Sequence, residues 1–324
     1  MQVADAIVVG GGPAGSSCAW KLREAGLDVL VLDRATFPRH KLCAGWVTPE
    51  AMADLELDPN DYPRSLVTFE ELHLHWKMLS ARPKSRQHSI RRFEFDDFLL
   101  QRSGATVLQH KVREIRRDSG DFVVDDAFRC RYLVGAGGTA CPVYRALFHD
   151  RNPRNSALQT ATFEQEFAYD WQDPGCHLWF FDDGLPGYAW YVPKANGFIN
   201  VGLGGMADQL KQQGGNIRDY WGKFVDKLRK SGLVHYDDYR PTGYSYFLRG
   251  DVDVVSDRNA FIVGDSVGLA TRDMCEGIGP AIKSGLLAAR AIASGEEYSV
   301  ARIDKFSGGG IASRLLERKF AGAN

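Results

Sequence analysis

The feature that most constrains the fold is a glycine turn near the start of the chain. Gly10, Gly12 and Gly15 form a GxGxxG pattern directly after the apolar run 5–9, and a helical pattern continues from there to about Ala25. An apolar run with β-branched residues is typical of a buried parallel strand. The order strand, glycine turn, helix is the start of a Rossmann-like unit.

An acidic residue completes this pattern. A second apolar strand, 29–32, ends in Asp33, eighteen residues after Gly15. The glycines permit a tight turn, the approach of a pyrophosphate to the backbone, and close packing of helix on strand. The helix N-terminus supplies N–H groups and a positive dipole to phosphates. An acid at this spacing accepts hydrogen bonds from ribose hydroxyls, so the sequence predicts a dinucleotide site.

A second glycine-rich site far downstream favours FAD over NAD. The strand 261–263 ends in Gly264-Asp265, and Gly277 to Gly279 open a further helix. A long cofactor needs such a second site. Asp265 suits a ribityl hydroxyl, and the helix N-terminus suits the flavin pyrimidine edge, which becomes negative on reduction.

Composition excludes several classes of protein. The chain has 324 residues, 44% of them hydrophobic and 25% charged, with a net charge of −1, which argues against a nucleic-acid partner. Six scattered cysteines without a CxxC pair indicate a reducing compartment, so we expect a cytoplasmic protein. We expect neither a signal peptide nor a membrane span, because the first strand starts at once and every apolar run is short. No metal is expected, because the histidines lack ligand spacing and His73 with His75 is typical of one strand face.

These motifs and several further segments resemble the flavoprotein family that joins geranylgeranyl reductases, aromatic-ring hydroxylases and flavin-dependent halogenases. The resemblance runs nearly end to end. Its further segments are Phe37–Gly45, Arg92–Asp96, Gly135–Gly138 with Cys141, Pro142 and Arg145, Gly187–Lys194, and Gly264–Gly279. The patterns Lys41-x-Cys43-x-Gly45 and Tyr188-x-Trp190-x-x-Pro193-Lys194 are most similar to the geranylgeranyl reductase branch.

The resemblance implies an α/β plus α+β fold. A Rossmann-like FAD-binding domain would be interleaved with an antiparallel β-sheet substrate domain. The predicted FAD-binding domain comprises 1–64, 91–155 and 250–324. The predicted substrate-binding domain comprises 65–90 and 156–249, where short aromatic-rich strands and the hairpin signal Asn196-Gly197 occur. The residue pattern also predicts a helix from Asp96, a residue type suited to an N-cap, to Gly104, and a helix over about 208–231.

The family also implies the cofactor contacts. Lys41 and Cys43 lie in a loop that the family folds over the isoalloxazine, and Arg92 resembles an arginine that reaches the pyrophosphate. Two adjacent arginines before a helix are equally compatible with a solvated surface. The predicted FAD-binding residues are Gly10, Gly12, Pro13, Ala14, Gly15, Asp33, Arg34, Lys41, Cys43, Ala44, Arg92, Gly137, Asp265, Gly277, Ile278 and Gly279.

Three residues are predicted to line the active site: Cys43, Tyr188 and Trp190. Tyr188 and Trp190 alternate and therefore share one face of a strand. In the family this face forms the substrate wall, where aromatic rings suit an isoprenoid or an aromatic ring. The alternative is an ordinary core strand. No second cysteine follows Cys43 in its loop, which excludes a redox dithiol.

The implied activity is reduction of a carbon–carbon double bond of an apolar, isoprenoid-like substrate by reduced flavin. Two alternatives stay open: a monooxygenase of the aromatic-hydroxylase type, acting through a flavin hydroperoxide, and a non-catalytic flavin electron carrier. Gly137-Gly138 replaces the Asp-Gly that accompanies NAD(P)H use in hydroxylases. The electron donors retained are NAD(P)H, ferredoxin and a flavin reductase. A lipid substrate would bring peripheral membrane contact.

Overall fold

The structure is a computed structural model, and it describes residues 1–308 and 316–319. The strands are β1 (Gln2–Val9), β2 (Val29–Asp33), β3 (Trp46–Val47), β4 (Val67–Trp76), β5 (Leu79–Ala81), β6 (Lys84–Ser89), β7 (Thr106–Gln109), β8 (Ile115–Asp118), β9 (Asp121–Val124), β10 (Phe128–Gly135), β11 (Gln159–Ala168), β12 (Cys176–Phe180), β13 (Gly187–Lys194), β14 (Phe198–Met206), β15 (Thr242–Phe247), β16 (Ser256–Asp257) and β17 (Ala260–Ile262). The helices are α1 (Pro13–Glu24), α2 (Pro49–Asp54), α3 (Arg92–Arg102), α4 (Pro142–Leu147), α5 (Ala207–Gln212), α6 (Ile217–Lys230) and α7 (Ile278–Ser294).

Residues 1–307 fold into two units that alternate along the chain. The first unit comprises Met1–Arg39, Phe93–Asn155 and Phe247–Ser307, and the second comprises His40–Arg92 and Ser156–Tyr246.

The segment 40–64 differs from the sequence prediction, which placed it in the FAD-binding domain. Its contacts group it with the second unit, because β3 pairs with β6 at Trp46 and Ser89. The backbone N–H of Ile90 also donates to the carbonyl of Gly45 at 2.8 Å. Of the predicted range 250–324, residues 309–315 and 320–324 lie outside the described part of the chain.

The first unit is built on a mainly parallel sheet. The strand order is β16-β17-β10-β1-β2-β7, and β1 pairs in parallel with both β2 and β10. β17 and β7 extend the parallel region on the two sides. β8 and β9 form an antiparallel meander beside β10. This is the Rossmann-like architecture that the glycine turn predicted.

Helices α1 and α7 cross closely in the first unit. A Cβ on Gly285 of α7 would lie 2.1 Å from the carbonyl oxygen of Ala14 in α1. Only a glycine permits this approach of two backbones. The crossing brings the two glycine-rich helix starts, which are far apart in sequence, into one packed unit.

The second unit is built on a sheet with the strand order β15-β11-β14-β13-β12-β4-β6-β3. It is mainly antiparallel, as predicted, and β12 and β4 pair in parallel. One face packs against α6 through Trp221, Phe224 and Leu228. The predicted hairpin is confirmed, with φ of 60° at Asn196 and 69° at Gly197 between β13 and β14.

Two helix predictions need correction. α3 begins at Arg92, not at Asp96, which lies inside the helix, fully buried and paired with Arg39. The ion pair, rather than an N-terminal capping role, accounts for the acid at this position. The helix expected over 208–231 is two helices, α5 and α6, separated by Gly214-Gly215.

Candidate active site

The glycine turn has the close backbone approaches of a phosphate-binding turn. Gly10 has a φ of 113°, and a Cβ there would lie 2.4 Å from the carbonyl oxygen of Ala136. A Cβ on Gly15 would lie 1.9 Å from the carbonyl oxygen of Gly10. Among the described residues no side chain caps the N-terminus of α1 at Gly12. The turn is therefore a narrow cradle whose helix N–H groups suit a phosphate.

Asp33 supports this turn with its side chain. One carboxylate oxygen accepts a hydrogen bond from the Gly11 N–H at 2.7 Å, and the other accepts from the Ala35 N–H at 2.8 Å. Each oxygen can accept a second hydrogen bond. The predicted ribose contact is therefore compatible with a structural role that the sequence did not indicate. Arg34, also predicted to bind the cofactor, has an exposed side chain.

Arg39 is a candidate cofactor residue that the sequence reasoning missed. Its Nη2 lies 3.2 Å from Oδ2 of the buried Asp96, and a Cβ on Gly12 would lie 3.3 Å from the same nitrogen. A guanidinium beside a helix N-terminus is complementary to a pyrophosphate. The sequence signal for Arg39 was its position directly after Phe37-Pro38, within the family segment Phe37–Gly45.

Gly137 lies beside the turn, whereas Asp265 belongs to a second cluster of the same unit. The backbone nitrogen of Gly137 is 2.9 Å from the position of a Cβ on Gly10. Oδ1 of Asp265 is 3.8 Å from the position of a Cβ on Gly277, at the start of α7. The N–H of Gly279 donates to Glu276 at 2.6 Å. This N–H, one of those predicted to face a flavin, is therefore engaged by the protein.

The second unit presents a buried polar face opposite the one that packs on α6. Trp190 pairs in register with Gly202, and Gly202 pairs with Glu164 across the next ladder. The alternation predicted from sequence places Tyr188 on the same face. The tyrosine and tryptophan rings are 5.9 Å apart between centroids.

Trp190 is almost fully buried and has a polar partner. Its indole N–H donates to Oδ1 of Asn200 at 2.6 Å. A Cβ on Gly202 would lie 2.3 Å from the indole ring, so the glycine provides the room that the ring occupies. Trp190 is therefore an integral part of this face, as well as a candidate substrate contact.

Lys194 and Asn200 hold the loop that contains Cys43. The Lys194 ammonium is fully buried and donates to the carbonyl of Ala44 and, at 2.7 Å, to the carbonyl of Ile90. The amide of Asn200 lies 3.4 Å from the carbonyl oxygen of Cys43. Burial lowers the pKa of Lys194 to about 8. The loop is thus bound to the polar face by two buried side chains.

Glu164 is the most unusual group of the polar face, and the sequence reasoning missed it. Burial raises the pKa of its carboxyl to about 7, against the opposing effects of Lys41, Asn200 and Lys194. Its Oε2 is buried and has no hydrogen-bond partner among the described residues. Little signal was available in the sequence, because Glu164 is one of two acids in its strand, with Gln165 and Glu166 directly after it. Such a carboxyl is poised to exchange a proton near neutral pH.

The two neighbouring arginines have different surroundings. Arg91 forms an ion pair with Glu166 at 2.8 Å and lies over the ring of Phe198. Arg92 is the first residue of α3, is 8% exposed, and belongs to the second unit. Its contact with a cofactor stays a prediction. Lys41, predicted for the same role, has its ammonium 3.2 Å from the ring centroid of Tyr244.

The chain is similar to known proteins in both sequence and fold. Residues 8–50 match the family model of an NAD(P)-binding Rossmann-like domain. An uncharacterized protein of Methanosarcina barkeri is 32% identical over 91% of this chain and 76% of its own length. A menaquinone reductase of Mycolicibacterium smegmatis is 30% identical over 92% of this chain and 79% of its own length. A solved geranylgeranyl bacteriochlorophyll reductase-like protein from Thermoplasma acidophilum superposes with a TM-score of 0.79 at 17% identity, over 98% of this chain and 82% of its own.

The chain belongs to the geranylgeranyl reductase-like family of FAD-dependent oxidoreductases. Membership in this family confirms the prediction of FAD as the cofactor and of an oxidoreductase as the class of enzyme. The turn fits a dinucleotide: a Cβ at Gly10 or Gly15 would collide with neighbouring backbone, and no side chain of the described residues caps the N-terminus of α1. In the part of the chain that the structure describes, every helix is too short or too polar to cross a membrane.

The structure brings the predicted residues of this geranylgeranyl reductase-like protein into three groups. Gly10, Gly12, Pro13, Ala14, Gly15, Asp33 and Gly137 surround the glycine turn. Asp265, Gly277, Ile278 and Gly279 lie at the start of α7. Cys43, Ala44, Tyr188 and Trp190 belong to the polar face of the second unit and its loop. Their assignment to FAD or substrate stays a prediction.

Proposed function

We propose that this protein reduces a carbon–carbon double bond of an apolar, isoprenoid-like substrate. The observation that carries the proposal is the buried Glu164 carboxyl, which lies on the same strand face as the rings of Tyr188 and Trp190. Saturation of a double bond requires a hydride and a proton. This face offers an acid with a pKa near neutrality inside an aromatic surface. The likeness to a protein named menaquinone reductase supports a substrate of this class, because menaquinone carries an isoprenoid tail.

FAD supplies the hydride when it is bound and reduced. We propose that the glycine turn holds its pyrophosphate, with Asp33 accepting from the ribose and Arg39 neutralising phosphate charge. The cluster of Asp265 and Gly277 would bind the ribityl and flavin end.

The substrate would lie against the rings of Tyr188 and Trp190. Aromatic rings give an isoprenoid chain a flat apolar surface. The bond from Trp190 to Asn200 fixes the indole plane, and Asn200 also approaches the loop at Cys43. Cys43 would line this surface, with its Sγ accepting from the N–H of Gly45 at 3.3 Å.

Glu164 would donate the proton to the second carbon of the double bond. Burial keeps a substantial fraction of its carboxyl protonated at neutral pH. After proton transfer, the positive charges of Lys41 and Lys194 would stabilise the carboxylate. The same face thus holds the proton before the reaction and the negative charge after it.

Anaerobic single-turnover kinetics test this proposal. The FAD-bound protein is reduced with dithionite and mixed with a short-chain menaquinone or a geranylgeranyl compound in the absence of oxygen. We expect the flavin to be reoxidised and two hydrogens to be added to the polyprenyl chain itself, which mass spectrometry distinguishes from reduction of a quinone ring to the quinol. A product that gains oxygen, formed only in air, would instead support the monooxygenase. A polyprenyl chain that stays unchanged, whether or not the flavin is reoxidised, would contradict the proposal and support an electron carrier.

A matched pair of variants locates the proton donor. Glu164→Gln should keep FAD bound and lose most of the reoxidation rate, by about 10²- to 10⁴-fold for a general acid. Glu70→Gln removes an exposed carboxylate of the same unit and should retain the wild-type rate. Equal rates in both variants would remove Glu164 from the mechanism.

A further inference from the structure

Three histidines of the second unit, His73, His75 and His177, lie together with Asp173 on the α6-facing side of its sheet. β4 and β12 form the parallel pair of this sheet, and His73 is in register with His177. Asp173 lies in the loop just before β12. The sequence indicated only that His73 and His75 share a strand face. It could not show His177, which is 104 residues further along the chain.

The three side chains present their ligand atoms at metal-site spacing. Nδ1 of His73 is 3.2 Å from Nε2 of His177, and that nitrogen is 3.2 Å from Oδ2 of Asp173. All three ligand atoms lie within 4.8 Å of one another. In a tetrahedral zinc site with bonds of about 2.0–2.1 Å, neighbouring ligand atoms are about 3.3 Å apart.

Hydrogen bonding cannot satisfy this arrangement by itself. A ring nitrogen carries either one hydrogen or one lone pair. Nε2 of His177 faces both Nδ1 of His73 and an oxygen of Asp173, so one of these two short contacts lacks a well-placed proton in any tautomer. A single cation among the three atoms would satisfy all of them at once.

The outer nitrogens of both imidazoles are oriented by neighbouring side chains. Nε2 of His73 lies 3.2 Å from Oε1 of Glu71, and Nδ1 of His177 lies 3.0 Å from Nε2 of His75. Metal-bound histidines characteristically use their second nitrogen in this way, because the partner fixes the ring and the tautomer. The loop ligand is fixed too, since Oδ1 of Asp173 accepts from the Gly175 N–H at 2.7 Å.

We propose that His73, His177 and Asp173 bind a divalent transition-metal ion of the Zn²⁺ class. Two imidazoles and a carboxylate are ligands that Zn²⁺ prefers, with a fourth position left for water. The ion would join β4, β12 and the loop before β12, and so fasten the parallel strand pair. The site is separate from the proposed reduction, which uses the opposite face of the sheet.

Zinc titration of the chelator-treated, FAD-bound full chain tests the site. Isothermal titration with ZnCl₂ should show one equivalent bound per chain, together with a rise in the thermal midpoint. Asp173→Asn, which keeps an oxygen for the Gly175 N–H, and His73→Gln should each weaken binding by at least about tenfold, and Glu71→Gln by about 10- to 100-fold. His235→Gln removes an exposed histidine of the same unit and should bind zinc like the wild type.

Two results would overturn the proposal. One is the absence of stoichiometric zinc uptake by the wild-type chain. The other is equal affinity in the wild type, Asp173→Asn and His73→Gln. Full FAD absorbance in each variant verifies that it is folded. Asp173 has a side chain that is 38% exposed, so its substitution leaves the packed core unchanged.

Discussion

Glu164 and Lys194 are two ionisable side chains buried on the same face of the second unit's sheet. Burial raises the pKa of the glutamate to about 7 and lowers that of the lysine to about 8. The desolvation effect therefore outweighs the attraction of the nearby lysines at Glu164. Near pH 7 the Glu164 carboxyl is therefore partly protonated while the Lys194 ammonium is still largely charged.

Glu164→Gln should change how stability depends on pH. The folded-state pKa of Glu164 is above its ordinary value of 4.5, so its favourable contribution is complete below that value and is lost as pH rises toward 7. Glutamine is neutral throughout. We expect the free energy of unfolding of the variant, relative to that of the wild type, to rise by about 2–3 kcal/mol between pH 5 and pH 8. Urea unfolding at several pH values measures this, and parallel curves would contradict the buried-acid assignment.

Asp33→Ala should release FAD. The variant loses a charge-assisted contact to ribose and also the acceptor of the Gly11 N–H. A loss of about 2–3 kcal/mol corresponds to a rise of about 30- to 150-fold in the Kd for FAD. Fluorescence titration of the apoprotein measures the Kd. Asp28→Ala, which removes an exposed carboxylate nearby, is the control. Unchanged affinity in Asp33→Ala would limit Asp33 to its structural role.

At the scale of elements, two glycines in helices have opposite surroundings. A Cβ on Gly285 of α7 would lie 2.1 Å from the backbone of α1, whereas a Cβ on Gly222 of α6 would meet nothing within 4 Å. Gly285→Ala should lower stability by about 1–3 kcal/mol and reduce FAD content, because α1 carries the glycine turn. Gly222→Ala should raise stability by about 0.5–1 kcal/mol through helix propensity.

The thermal midpoints and the flavin content of Gly285→Ala and Gly222→Ala test whether the close crossing of α1 and α7 supports the cofactor site. If Gly285→Ala melts like the wild type with full FAD, the close crossing of α1 and α7 is not required for the cofactor site.

Strong periodicity predicted the elements well, and tertiary contacts explain the misses. The alternation along 188–192 correctly placed Tyr188 and Trp190 on one face. The predicted start of α3 was wrong because aspartate is common at helix N-termini, whereas Asp96 lies inside the helix and pairs with Arg39. An acid with a distant partner has no local signature.

The candidate site could be predicted only where a motif marks it. The spacing of the glycines, set between a strand and a helix, predicts that the turn binds a dinucleotide. Glu164 and Asn200 meet Trp190 only through the register of three neighbouring strands, which no single segment encodes. His177 lies opposite His73 through a parallel pairing within a mainly antiparallel sheet.

At the scale of the whole molecule, the chain alternates between a dinucleotide-binding unit and a sheet unit that carries its own buried acid. Each unit is assembled from separate stretches of sequence. Family membership identifies FAD as the cofactor. The buried acid on the polar face is the reason that we propose reduction of a double bond rather than oxygenation. We therefore propose that the second unit delivers the proton to a double bond.

The most direct test is the mass of the product of one anaerobic turnover in D₂O. Dithionite-reduced protein is mixed with a short-chain menaquinone, and the polyprenyl chain is analysed by mass spectrometry. We predict a double bond saturated with deuterium at both carbons, because the N–H of reduced flavin also exchanges with D₂O, and much slower formation of this product in Glu164→Gln. An unchanged polyprenyl chain, or one that has gained oxygen when air is admitted, would contradict the account.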